Sequence, residues 1–152
     1  MISRVSSNIG SLLQVAALCS QDLSPFLEQA AVEAVSEVKQ RIGRGIGSDG
    51  QSMISSSSPK TGAYSKDYGN KRGKAGLPTG RVDLRFSGKT MDSYGIIERG
   101  QNYVVGGFDN NEAGDIADYN EQMFGQAYYL SDEEINKADV FITKQVADLL
   151  SA

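Results

Sequence analysis

The chain has 152 residues, 39% of them hydrophobic: enough for one domain with its own core, and with no run of 18 or more apolar residues to cross a membrane. It has no histidine and a single cysteine, Cys19, which excludes an intramolecular disulfide, histidine metal sites and Ser-His or Cys-His nucleophile pairs. The net charge of −4 is unevenly spread: residues 60–85 hold seven basic residues against Asp67 and Asp83, a net of +5, so the remainder carries −9.

At the N-terminus, Arg4 precedes an apolar patch from Leu12 to Leu18. Gln14 interrupts the patch and the small-x-small cleavage pattern is poor, so residues 9–19 are expected to form a short amphipathic helix rather than a secretion signal. A lone Cys19 fits a reducing compartment. A long helix follows. Ser24 is the expected N-cap, and Pro25 sits at the first helical position, where a missing N–H costs nothing. Phe26, Leu27, Ala30, Ala31, Ala34, Val35, Val38 and Ile42 recur at helical spacing, with Glu28, Glu33, Glu37 and Lys39 on the opposite face. Gly43, Gly45 and Gly47 end it.

Residues 43–80 contain nine glycines, the run Ser55–Ser58 and almost no periodic apolar pattern. The expectation is one domain over residues 1–152 containing an extended irregular loop over 43–80. Tyr64 and Tyr68 interleave with Lys60, Lys66, Lys71, Arg72 and Lys74, and Arg81, Arg85 and Lys89 follow. These ten are the candidate contact residues, because a basic excursion on an acidic body points to a negative partner: nucleic acid or an acidic protein face. For Arg81, Arg85 and Lys89 a solvated face is an equal alternative. "GRGIG" follows a helix rather than a strand and so fails as a dinucleotide loop.

"SGKT", residues 87–90, resembles the end of a phosphate-binding P-loop. That loop needs a glycine five positions before the Gly-Lys pair, and the position is occupied by Asp83, whose carboxylate would repel phosphate. "RVDLRF" is apolar at alternate positions and is expected to be a half-exposed strand. "GKTMDS" reads as a helical turn in which Met91 packs inward, as does Tyr94 just beyond it. "YGIIER" and "NYVVGGF" read as a hairpin turning at Gly100-Gln101, with Glu98 and Arg99 toward solvent and Gly106 and Gly107 weakening or bulging the second strand.

"DNNEAGD" (Asp109, Asn110, Asn111, Glu112, Asp115) lacks the acid spacing of a calcium loop and reads as a turn with solvated charges. A helical turn over Ile116–Asn120 and an extended piece over Tyr128–Leu130 are expected next. Tyr119, Phe124, Tyr128 and Tyr129 are interface or core aromatics, at least two of them core. Ser131 caps the last helix, Glu134 completes a capping box, and Leu130 with Ile135 forms a hydrophobic staple. Ile135, Ala138, Ile142, Val146 and Leu149, widened by Val140 and Phe141, form its expected buried stripe. The carboxylates of Asp132, Glu133 and Glu134 serve the helix dipole rather than catalysis. The fold class is α+β: a small antiparallel sheet of three or four strands packed by the long N-terminal helix and the C-terminal helix.

Over residues 24–150 several strings resemble, in order, the phage virion-morphogenesis family, the tail-completion or head–tail joining proteins of Mu-like and other tailed phages. They are "IGSDGQSM" after a long helix, "SSSSPKTG", a basic Tyr/Arg/Lys/Gly segment, "LRFSGKTMDSYGI", a hairpin ending "VVGGF", "DIADYNEQMFG" and "YYLSDEE". Asn120 or Glu121 stands where the family has a histidine, and "GQAYY" lacks its Pro-Ala-Arg segment. The resemblance implies a non-enzymatic virion protein without cofactor or membrane partner, assembled in the host cytoplasm into the neck. It implies a homo-oligomeric ring, of six or twelve copies, around the DNA channel. Its neighbours would be head-side portal or adaptor proteins and tail terminator or tail tube proteins, with genomic DNA in the lumen. The alternative is a nucleic-acid-binding module that places Lys66, Tyr68, Lys71, Arg72 and Lys74 of residues 60–85 on phosphates.

Overall fold

The computed structural model of the protein describes residues 22–151. The helix expected over 9–19, and Cys19, lie outside the described residues. Helix α1 spans Ser24–Gly43 and buries Ala30, Ala34, Val38 and Ile42, the centre of the expected stripe. Ser24 is not its cap but its first residue. Asp22 lies two positions earlier, and its carboxylate accepts the Ser24 N–H at 3.0 Å, satisfying one of the free donors of the first turn. The Ser24 hydroxyl donates instead to the Gln101 carbonyl at 3.2 Å, tying the start of α1 to the hairpin tip.

The loop expected over 43–80 is irregular through residue 59 and again after residue 74, but regular structure interrupts it over residues 60–74. Ile46 bridges Ser52, then β1 (Lys60–Thr61) pairs antiparallel with β2 (Tyr64–Ser65), and α2 (Lys66–Lys74) follows. Polar and close-packed contacts, rather than an apolar stripe, order this region. Gly62, at φ 63°, lies so close to the Thr79 carbonyl that any Cβ would collide with it. The neighbouring Ala63 N–H donates to that same carbonyl at 2.8 Å.

"RVDLRF" makes no strand. Val82 and Leu84 are buried, as the alternation predicts, but the segment joins no ladder. Helix α3 (Lys89–Ser93) buries Met91 and leads into β3 (Tyr94–Arg99), which pairs antiparallel with β4 (Val104–Phe108). The bulge falls on β3, at Ile97, and not at the glycines of β4. Two separate two-stranded antiparallel sheets therefore replace the expected sheet of three or four strands.

"DNNEAGD" opens a full helix, α4 (Asn111–Phe124), rather than a turn. Its cap is Asn110, whose side-chain oxygen accepts the Ala113 N–H at 2.8 Å. The stretch after α4 forms no strand; Ala127 and Tyr128 enter the core. Tyr94, Phe108 and Tyr128 pack ring on ring with centroids 5.0–5.7 Å apart, and the Tyr94 hydroxyl donates to the Tyr128 carbonyl at 2.8 Å. Tyr128 is core and Phe124 packs against the core, whereas Tyr119 and Tyr129 are exposed.

The last helix, α5 (Asp132–Ser151), packs on α1. Its capping box forms as expected: Glu134 Oε2 accepts the Ser131 N–H at 2.8 Å, and the Ser131 hydroxyl accepts the Glu134 N–H at 3.3 Å. The same Glu134 carboxylate takes Arg41 of α1 side-on, Nε to Oε1 at 2.8 Å and Nη2 to Oε2 at 3.3 Å. Arg41 also donates to the Ile46 and Tyr129 carbonyls. The expected buried stripe of α5 is only half covered: Ile135, Ala138, Ile142, Val146 and Leu149 are half-buried, and Val140 is 59% exposed.

Burial pushes the Tyr64 and Tyr94 hydroxyls up from 10.0 to about 12, and Tyr128 is raised by the same cause. Above pH 10.0 these phenols ionise in the unfolded chain while the folded chain keeps its protons, so the unfolded state binds fewer protons and stability falls as pH rises. The contribution is intact below pH 10.0 and is lost progressively up to about 12. The urea midpoint should therefore hold steady to pH 10.0 and drop above it, and Tyr64→Phe should flatten that drop.

Candidate functional site

The basic segment is a small module built around Arg72. This side chain is 0% exposed although it projects from a nine-residue helix of almost wholly polar sequence. Its Nε donates to the Pro78 carbonyl at 3.0 Å and Nη1 to the Arg85 carbonyl at 2.9 Å. Nη2 meets both Asp83 oxygens, at 2.9 and 3.1 Å. The guanidinium lies over the Tyr64 ring, 4.5 Å from its centroid. The Tyr64 hydroxyl closes the network by donating to Asp83 Oδ1 and accepting the Asp83 N–H. One planar cation thus fastens β2, α2 and the chain through Pro78 and Arg85 to one another.

The ten candidate contact residues therefore divide. Lys60, Lys66, Lys71, Lys74, Arg81, Arg85 and Lys89 are exposed. Tyr64 and Arg72 are interior and hold the module together, and Tyr68 is half-buried, edge-on to Tyr64 at 5.4 Å. Neither Tyr64 nor Arg72 can reach a phosphate or a partner without the module unfolding. Because Asp83 neutralises Arg72 internally, the exposed cations face outward opposed within the module only by Asp67. Arg85 alone of the seven makes an ion pair among the described residues, with Asp92 at 3.4 Å on the surface.

Asp83, which excluded a P-loop on spacing, is the counter-ion at the module's centre. Gly88, at φ 89°, turns the chain into the five-residue α3, so "SGKT" is a turn and a short helix with Lys89 at the surface.

Sequence reasoning missed the apolar residues beside these cations. Phe86 is 41% exposed, with the Lys71 ammonium 5.1 Å from its ring centroid. Alternation from Val82 and Leu84 places Phe86 inward, but Leu84 has φ 50°, so the chain is not extended there and the alternation does not carry through to Phe86. Across a small cleft from Phe86 stand Ile116, Asn120 and Phe124 of α4. Ile116 is 41% and Tyr119 61% exposed.

A second concave surface, of about 320 Å³, lies between α1, β4, α4 and the stretch before α5, with Ala31, Val35, Val105, Phe108 and Leu130 in its wall. It adjoins the edge of β4 turned away from β3, an edge with no ladder partner among the described residues.

Among the described residues no group of three or more acidic or sulfur side chains is arranged to hold a metal ion, and no helix is long and apolar enough to cross a membrane. No family model matches this chain, and neither a curated protein nor a solved structure does.

Proposed function

We propose that the protein is a structural virion component, a neck subunit that joins the head-side connector to the tail as one member of a ring. The observation that carries this reading is the apolar surface of α5: among the described residues this 20-residue helix packs on α1, yet only Glu134 is buried and its apolar residues are half-buried or exposed. A helix covered on one side gains the rest of its burial from another chain. The unpaired edge of β4 beside the apolar concavity adds a place where a neighbouring copy can extend the sheet. The ordered strings that resemble those of tail-completion proteins agree with this role. In a closed ring each copy repeats the rigid cationic module, forming a basic belt around the channel or against the next ring.

The second reading, a nucleic-acid-binding module, is favoured by one observation: exposed Phe86 under the Lys71 ammonium, a base-stacking surface beside cations. Binding assays with the full-length chain separate the two. A neck subunit binds isolated connectors or tail tubes and holds free DNA weakly. A DNA binder ignores both, and its affinity for DNA falls steeply with salt, with a slope set by the phosphates contacted.

A further inference from the structure

Across one cleft the exposed charges of α4 are all acidic, whereas those on the module side are mainly basic, with Asp67 and the Arg85-paired Asp92 as the acidic members. On one wall, Lys71 stands over Phe86, and Lys89 lies between the cleft residues Gly88 and Thr90. On the other wall Ile116 projects from α4, and Glu112 and Asp115, one turn and one residue before it, are exposed. Among the described residues none of these four charges has an ion-pair partner. Elsewhere some surface charges are matched within the chain, Arg99 with Glu28 and Lys137 with both Glu37 and Glu133, while others, such as Lys60, Lys74 and Arg81, are exposed without an ion-pair partner among the described residues. The face therefore has a cationic half, an apolar middle made by Phe86 and Ile116, and an anionic half.

We propose that this face binds a second copy of the same chain about a two-fold axis through the cleft. A half-turn brings the Lys71 side of one copy onto the Asp115 side of the other, twice, and stacks Phe86 and Ile116 against their counterparts. A contact of this kind is self-complementary and closes on itself. The adjacency of the two halves is what selects it. A head-to-tail contact needs its two surfaces on separate sides of the subunit, whereas these share one cleft. The pairing is distinct from the α5 surface and stands whether or not a ring forms.

Charge exchange in the full-length chain tests it. Lys71→Glu and Asp115→Lys each place like charges at both symmetric contacts, so each variant should show half the wild-type mass by native mass spectrometry at low ionic strength. Mixed in equal amounts, the two should recover the wild-type mass as a hetero-pair, because each reversed side then faces a reversed partner. Near-ultraviolet circular dichroism of the variants should match wild type, since both residues are exposed. Unchanged mass in either variant, or a mixture that stays at half mass, overturns the pairing. So does a Lys71→Glu variant whose sole defect is lost nucleic-acid binding. The halving applies equally to a bare pair and to a larger assembly, so failure of the ring leaves this result readable.

Discussion

Arg72→Ala is expected to lower folding stability by about 3–5 kcal/mol, the cost of removing one partner from a buried ion pair. The substitution strands Asp83 and the Pro78 and Arg85 carbonyls, and it removes the cation from the face of Tyr64. Against a typical total of about 5–15 kcal/mol for a domain, this leaves little margin. Arg72→Lys should recover only a small part, because an ammonium cannot reach four acceptors in one plane. Adding Asp83→Leu to Arg72→Met should restore more stability than the single effects predict, because both charges leave the interior together. Urea unfolding of these four single variants and the double variant measures all of this. An Arg72→Ala midpoint equal to wild type would mean that the module hangs together by other contacts.

Glu134→Ala is the second large effect, again about 3–5 kcal/mol, and it should loosen α5 from α1. Arg41 and Glu134 are both nearly inaccessible, and the pair is the main polar clasp between the two long helices. Glu134 also receives the Ser131 N–H, so its loss uncaps α5 as well. Ser131→Ala separates the two roles. It removes half of the capping box, worth about 1 kcal/mol, and leaves the ion pair intact. Hydrogen exchange should then show α5 amides opening early in Glu134→Ala and close to wild type in Ser131→Ala.

These two arginines mark the boundary of what the sequence discloses. Helix α1 was legible because Ala30, Ala34, Val38 and Ile42 repeat at the helical period. The hairpin β3–β4 was legible from its flanking apolar strands, although four residues join them, with Gly100 N–H bonded to the Tyr103 carbonyl, instead of a turn at Gly100-Gln101; the capping box of α5 was legible because cap chemistry is local. The module was not, because its order comes from Arg72 gathering groups up to 13 residues away, and no periodicity records a polar hub. Arg41 reaches Glu134 across 93 residues and left no trace at all. Helix α4 reads in the sequence as a turn with solvated charges and then a helical turn over Ile116–Asn120, because Gly114 and the acidic residues around it depress helix propensity; the Asn110 cap and the burial of Ala113 and Ala117 extend it to a full helix. At the candidate surface, the composition of residues 60–85 shows an excess of basic residues, but not that Arg72 is buried while the others are exposed.

The neck reading draws its strength from two features with different origins. The module presents fixed cations on a scaffold that needs no partner to order it, since Arg72, Asp83 and Tyr64 satisfy one another. Helix α5 presents apolar area that the other described residues leave uncovered. A protein that only bound DNA would need the first feature and not the second.

The most direct measurement is the mass of the purified full-length chain by sedimentation velocity at physiological salt, alone and with isolated head-side connectors. The account predicts at least a pair of chains alone and a closed multimer at the latest on the connector, with a Val140→Glu variant that does not close. A strictly monomeric chain that ignores the connector, yet shifts DNA in a salt-dependent way, would contradict it.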